Sequence, residues 1–540
     1  MAPNQAATEG FDGSAAVTRS ATRIGAATML SRVFGLARDT CFAILFGTAF
    51  VADAFNLAFL LPNFFRRIVG EGNLNPAFIP VFAQVRERGG DEAAAQFLRR
   101  VLGALLVVLV ALCAIGMLAA SPLVRLYAHD WESDPEGFAF AVRLLRILFP
   151  YLLFAGGAAL ASAALNARRH FAVPALAPIL INVCFLLGGL AALAFDTLED
   201  RAVAFAWGGL AGGLGAWIVQ LPQMRTLGLP IGPAWAPGDA DVRRVAALML
   251  PGFVALGVTQ LNLFVDTLLA LRLEEGSLSA LRLGNRVMLL PLGVVGVAVS
   301  TASLPALALR AARADRTALL DTLSYTLRLL LTLLVPAAVG LVLLAEPITA
   351  LLFQYGEFTA ERSTPMTAAA LAFYALGLPA YGLVKGLAQG FYAVQDTRTP
   401  VATSAISMIA NVILNLALMG PMGLRGLALA TSIAAWLNVA LLFARLAGRV
   451  GPVAAGPLRA SALRTVAGSA VLAAGCGLGS LATGSLGDAP WARAAQVAVP
   501  IAGGLAGLWL AYRLLGHHEM DEIARSLPGR RRTGPRDESE

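Results

Sequence analysis

The chain has 540 residues, of which 58% are hydrophobic and 14% charged, whereas a soluble globular protein carries about 25% charged residues. Mean hydropathy is +0.72, and the apolar residues come in runs of about 20, each long enough to cross roughly 30 Å of hydrocarbon. A soluble domain is excluded, and so is a transmembrane β-barrel, whose strands would alternate over about ten residues.

In chain order the apolar runs predict fourteen spans, near 24–49, 52–84, 101–121, 139–164, 172–195, 203–222, 246–271, 279–308, 323–345, 366–393, 401–420, 425–444, 462–483 and 494–514. Residues 1–20 are polar and lack the short apolar core of a cleaved signal peptide, so the first span stays as a helix. Connections are short and leave no room for a soluble domain. The polar stretch from His517 to Glu540, with Arg530-Arg531-Arg532, reads as a disordered cytoplasmic tail. Cys41, Cys113, Cys184 and Cys476 fall in different spans with no CxxC spacing and read as small buried residues. Histidines 129, 170, 517 and 518 make no metal-ligand pattern.

The net charge of +8 is carried almost entirely by arginine, Lys385 being the single lysine. Its placement argues against nucleic acid. One set of loops holds Arg86, Arg99, Arg100, Arg168, Arg169, Arg243, Arg244, Arg398 and Arg445, while the alternate loops hold Asp130, Glu132, Asp196, Glu274, Glu275 and Glu357. By the positive-inside rule the arginine side is cytoplasmic, and an even number of spans puts both termini there.

An internal repeat runs at an offset of 229 residues: Leu61-Pro62 matches Leu290-Pro291, Pro76 matches Pro305, Pro150 matches Pro379, and Asn56, Arg169 and Asn182 match Asn285, Arg398 and Asn411. Each repeat holds six spans, so the two halves share one topology, as in parallel-repeat transporters. The last two spans lie outside it. Spans 2 and 8 are long and carry Pro at matching positions, a pairing that marks a central binding site.

Charges within the spans sharpen that expectation, because an arginine at mid-helix costs roughly 2.5–3.5 kcal/mol on insertion scales. Span 1 carries Arg32, Arg38 and Asp39; span 2 carries Asp53, Asn56, Asn63, Arg66, Arg67 and Glu71; span 8 carries Asn285 and Arg286; span 10 carries Lys385. The span-2 set falls on one helical stripe. Internal salt bridges, or snorkelling of Arg66 and Arg67 to the rim, would be the structural explanation. The arginines outnumber the nearby acids, and surplus buried positive charge points to an anionic ligand, most naturally phosphate or pyrophosphate. A second polar group comprises Asp266 and Asn262 on span 7, Asn411 and Asn415 on span 11, and Thr431 on span 12. One carboxylate with neutral oxygens suits a small cation such as Na+, although Asn and Thr also serve as interhelical glue. HExxH, GxSxG, Walker and acid-rich metal-diphosphate motifs are all absent, so the chain reads as a transporter and not an enzyme.

The stretches SRVFGLARD and DAFNLAFLLPNFFRRIVGEGNLNPAFIPVFAQ, with NRVMLLPLGVVGVAVSTASLPALA and GFYAVQDTRTP further on, closely resemble the bacterial lipid II flippase family MurJ (MviN) of the multidrug/oligosaccharidyl-lipid/polysaccharide (MOP) exporter superfamily. The resemblance implies an all-α, fourteen-helix protein that moves undecaprenyl-diphosphate-linked peptidoglycan precursor, for cell wall biogenesis, across the inner membrane by alternating access. It implies that Arg32, Arg38, Asp53, Arg66, Arg67 and Arg286 line a cationic central cavity; Asp39, Asn63, Glu71, Asn285 and Lys385, polar residues of the same spans and of span 10, are secondary candidates from the sequence itself. It further implies a sodium site at Asp266, Asn411, Asn415 and Thr431, and a groove for the polyprenyl tail on helices 13 and 14. The chain departs from the family where Asn285, Leu289 and Asn415 replace acids found in other members.

The resulting organisation is a cytoplasmic tail over 1–23, an N-lobe of helices 1–6 over 24–235, a C-lobe of helices 7–12 over 236–450, helices 13–14 over 451–516 and a cytoplasmic tail over 517–540. The expected partners are lipid II and membrane lipids, with no nucleic acid, and the expected state is a monomer without cofactor apart from Na+ as a coupling ion. The competing readings are a flippase for another polyprenyl-linked oligosaccharide and a drug/cation antiporter of the same superfamily.

Overall fold

The computed structural model describes residues 29–67, 74–517 and 519–520; of these, the side chains of 254–259, 261, 297 and 301 are left aside. Every regular element among the described residues is helical, and eleven helices are long and apolar enough to cross a membrane. This agrees with the all-α, multi-pass reading, because a bilayer core supplies no water to satisfy an open backbone. The chain divides into two compact units, residues 1–279 with 353–363, and residues 280–352 with 364–540.

The first unit contains α1 (29–46), α2 (Phe50–Arg66), α3 (Leu74–Leu118), α4 (Ala120–Tyr127), α5 (Pro135–Leu148), α6 (Tyr151–Ala167), α7 (Ala172–Ala192), α8 (Leu198–Ile218), α9 (Leu221–Thr226) and α10 (Ala240–Ala270). Two of its boundaries follow directly from local chemistry. Asp134 caps α5, its carboxylate accepting from the Gly137 N–H at 3.2 Å ahead of a proline start, and Asp239 caps α10 through the N–H groups of Asp241 and Val242. Within the expected span 2, helix α2 continues through Pro62 to Arg66, and α3 is described from Leu74; residues 68–73 lie outside the described residues. Helix α3 joins the expected span 3 across Gly90, whose φ of 76° breaks the helical path.

Aromatic rings tie the helices of this unit together. Phe42 of α1 packs in tilted pairs against Phe55 of α2 and Phe205 of α8, at centroid distances of 5.3 and 5.7 Å. Phe59 of α2 reaches Tyr151 of α6 at 5.4 Å and Phe185 of α7 at 5.7 Å; such pairs contribute about 0.5–1.5 kcal/mol each beyond area burial. α10, expected with the second lobe, packs in the first unit. Val245 and Met249 join the core formed with α3, Arg100 pairs with Asp239 at 2.6 Å, and Phe264 lies 4.4 Å from the Tyr127 ring.

The second unit contains α11 (Ser277–Pro291, its first three residues grouped with the first unit), α12 (Val297–Ala312), α13 (Arg316–Leu343), α14 (Ala345–Phe353), α15 (Ser363–Ala375), α16 (Leu378–Ala393), α17 (Arg398–Met422), α18 (Leu424–Arg449), α19 (Ala455–Thr483) and α20 (Pro490–Leu514). The expected break in span 8 is here: the helix widens into a π segment over Leu292–Gly296 directly after Pro291. α19 and α20 lie close through glycine. A Cβ at Gly475 would meet the Gly503 carbonyl oxygen at 2.6 Å, the small-residue contact typical of membrane helix pairs. The chain then turns at Gly516 and buries His517 and Glu519 against α13 and α19, where Glu519 pairs with Arg328 at 2.8 Å and His517 Nε2 lies 3.1 Å from Thr465 Oγ1. The expected tail therefore starts with packed residues, and its remainder lies outside the described residues, as does the stretch 1–23.

Candidate functional site

The span-1 charges occupy α1. Arg32 is exposed, while Arg38 and Asp39 are half-buried. Arg38 Nε donates to Asp39 Oδ1 at 3.0 Å, and its guanidinium lies 5.6 Å from the Phe185 centroid, a cation–π contact that strengthens as water is excluded. The aromatic cluster is thus the floor on which Arg38 rests. Nothing in the spacing of span 1 announced it, because Phe185 is supplied by α7.

On α2 the polar stripe separates into two ends with different partners. Asp53 is buried, and its carboxylate accepts three hydrogen bonds: from the Gly276 N–H at 2.8 Å, the Ser279 N–H at 2.8 Å and the Ser279 hydroxyl at 2.6 Å. One turn on, Asn56 Nδ2 donates to Ser279 Oγ at 2.9 Å. These donors belong to the start of α11, where unpaired N–H groups and the positive end of the helix dipole favour an anion. Glycines without side chains allow this approach: Gly276, at φ 88°, sits where a Cβ would be 2.2 Å from the Thr48 carbonyl oxygen, and Gly47, at φ 55°, where it would be 2.3 Å from that of Glu357. At the far end Arg66 Nε donates to Asn63 Oδ1 at 2.9 Å, with Arg67 half-buried beside them. Glu71 lies outside the described residues.

In the second unit Asn285 and Arg286 sit on α11, seven and six residues before the π segment that begins at Leu292, and both are half-buried. Arg282, which the sequence reading passed over, stands one turn before Arg286 and is also half-buried. Its i, i+4 spacing was the available signal. Lys385 on α16 approaches the π segment; a Cβ at Gly296 would be 4.0 Å from Lys385 Cδ. The proline interruption and the one lysine therefore share a neighbourhood.

The second polar group falls in both units. On α10, Asn262 Nδ2 donates to Asp266 Oδ2 at 3.0 Å. In the second unit Asn415 Nδ2 donates to Asn411 Oδ1 at 3.1 Å, and Asn411 Nδ2 to Thr431 Oγ1 at 3.3 Å. Asn411 and Asn415 are buried, 3% and 0% exposed, so this chain of amides closes a join between α17 and α18 that no apolar pair could satisfy. Its oxygens are hard donors of the kind an alkali or alkaline-earth cation takes. Among the described residues no group of three His, Cys, Asp or Glu side chains forms a site for a softer metal.

With this geometry in place, comparison with known proteins is specific. The lipid II flippase MurJ family matches residues 42–491. A "Probable lipid II flippase MurJ" of Rhizobium meliloti (strain 1021) is 40% identical over 433 residues, covering 79% of this chain and 80% of the relative. The "Lipid II flippase MurJ" of Burkholderia cenocepacia is 37% identical over 429 residues, covering 79% and 83%. Among solved structures, a lipid II flippase MurJ in an inward closed conformation superposes with a TM-score of 0.74 at 26% identity, covering 91% of this chain and 99% of that one. An inward-facing multidrug-resistance MATE transporter of the MOP superfamily gives 0.66 at 14% identity, covering 80% and 98%, a likeness of fold. The matched segment contains both arginine-bearing helices α2 and α11 and the whole of the π interruption, and the chain belongs to the lipid II flippase MurJ family.

Proposed function

We propose that this protein is a lipid II flippase of the bacterial inner membrane, carrying the undecaprenyl-diphosphate-linked precursor from the cytoplasmic to the periplasmic leaflet by alternating access. The observation that carries the reading is the surplus of arginine over acid in the expected spans 1, 2 and 8, Arg32, Arg38, Arg66, Arg67 and Arg286 against Asp39, Asp53 and Glu71. Arg38 pairs with Asp39, Arg66 donates to Asn63, and Asp53 accepts from the start of α11. A diphosphate with two or more negative charges is the ligand such a set favours, since guanidinium binds it bidentately.

In this reading Arg32, Arg38, Arg66, Arg67 and Arg286 hold the diphosphate-sugar head, and Lys385, Asn63 and Asn285 extend the polar lining. Asp53 acts through the helix it caps, fixing the start of the element that presents Arg286. Asp266, Asn411, Asn415 and Thr431 would hold Na+ as a coupling ion, which would tie the cation gradient to the transport cycle. The fourteen-span, two-repeat plan, with lobes over 24–235 and 236–450 and the tail groove over 451–516, has support in the helix breaks. The α5–α6 break falls at Phe149–Pro150 and the α15–α16 break at Leu376–Gly377, so the two lie within two residues of the 229-residue offset that pairs Pro150 with Pro379. Both termini are then cytoplasmic and the working unit is a monomer.

The test is translocation of labelled lipid II in proteoliposomes, wild type beside Arg38→Ala and Arg286→Ala, with a labelled polyprenyl-linked sugar unrelated to the cell wall as control. Selective transport of lipid II, lost in both variants, is the expected result. Equal transport of both lipids would replace the reading with a general glycolipid flippase.

A further inference from the structure

Two arginines that the transport reading does not use lie on the outer face of the first unit. Arg143 and Arg146 stand three residues apart on α5, on one helical face, and both are exposed. At 1.5 Å per residue they lie about 12 and 17 Å along the helix from Pro135, well inside the span and beyond the acidic 129–136 loop. They border a groove of about 640 Å³ whose walls include Met117, Ile147, Trp207 and Leu210. Trp207 is 56% exposed there.

Among the described residues no carboxylate lies within ion-pair distance of Arg143 or Arg146; of the acids ahead of α5, Glu132 pairs with Arg125 and Asp134 caps the helix. Arg146 is also held laterally, its Nε donating to the Met117 carbonyl oxygen in the last turn of α3 at 3.3 Å. That bond opposes snorkelling along the helix toward water and leaves both terminal Nη groups directed by a fixed Nε. Two guanidinium groups at this depth, with an apolar channel and a half-exposed indole beside them, need an anion that has a hydrocarbon chain attached.

We propose that this groove binds an anionic glycerophospholipid of the leaflet bordering the 129–136 loop. Arg143 and Arg146 take the phosphate, and an acyl chain lies along Ile147, Trp207 and Leu210. The site is independent of the headgroup arginines on α1, α2 and α11 and of whether lipid II is transported.

The experiment uses the full chain in phosphatidylcholine vesicles containing a trace of photoactivatable phosphatidylglycerol, followed by peptide mapping. Label should concentrate in peptides covering Met117, 138–150 and 207–210, and unlabelled phosphatidylglycerol should displace it at least about tenfold better than phosphatidylcholine, the scale expected for losing a charge-assisted contact. The double variant Arg143→Gln/Arg146→Gln should lower labelling by about tenfold, and Arg143→Lys/Arg146→Lys should keep most of it. If the glutamine variant does not fold, the wild-type map and competition decide alone. Label spread evenly over the lipid-facing helices, equal displacement by phosphatidylcholine, or stronger displacement by a polyprenyl diphosphate would each overturn the proposal.

Discussion

Replacing Asp53 by alanine separates a helix-positioning role from a ligand-binding one. The carboxylate is 4% exposed and accepts from two backbone N–H groups and one hydroxyl. Removing it strands the N–H groups of Gly276 and Ser279 in a buried setting, at about 1–3 kcal/mol each, and removes an anion from a helix N-terminus, worth about 0.3–1 kcal/mol. Asp53→Ala should therefore destabilise the protein by about 2–7 kcal/mol. Asp53→Asn keeps one acceptor oxygen and should cost about 1–2 kcal/mol. Ser279→Ala should cost about 1 kcal/mol in the wild-type background and little in Asp53→Ala, giving a coupling near 1 kcal/mol in a double-mutant cycle. The assay is denaturant unfolding in detergent micelles, with lipid II binding measured on the same samples. An Asp53→Ala protein as stable as wild type to within about 0.5 kcal/mol, yet unable to bind lipid II, would refute the capping argument and return Asp53 to the ligand.

Arg38→Ala and Arg286→Ala should abolish lipid II translocation while purified yield and melting temperature stay near wild type; loss of folded protein in both would instead assign these arginines to internal pairing. Asp266→Ala should remove any sodium dependence of transport, so an unchanged response to a sodium gradient would reject the cation site. Asp239 supplies a pH dependence outside the membrane. Burial would raise its pKa, but the Val242 N–H, Arg100 and the Asp241 N–H outweigh that and hold it below the ordinary carboxylate range. A depressed carboxylate contributes stability above its unfolded value of about 3.9 and loses it as pH falls through the folded value. The melting temperature should thus drop below about pH 4, and Asp239→Asn should flatten that part of the profile.

Much of this protein follows from the sequence because the bilayer imposes a strict rule. A segment that crosses hydrocarbon must be about 20 apolar residues long and helical, so spans such as 172–195 and 425–444 reappear as Ala172–Ala192 and Leu424–Arg449. The cost of intramembrane charge likewise made Arg32, Arg38, Arg66, Arg67 and Arg286 visible one at a time, and Pro291 marked the place where the helix widens. Helical periodicity assigns a residue to a face, however, and not to a partner. Asp53 meets Gly276 and Ser279 across 223 and 226 residues, Arg38 rests on a ring from α7, and α10 joins the first unit through Arg100, Val245 and Met249. Arg143 and Arg146 fall within the expected span 139–164, but helical spacing does not say what their face meets. Only the packing of α3, α5 and α8 places them beside a groove, since contacts between helices arise from side chains that the chain brings together after each span has formed.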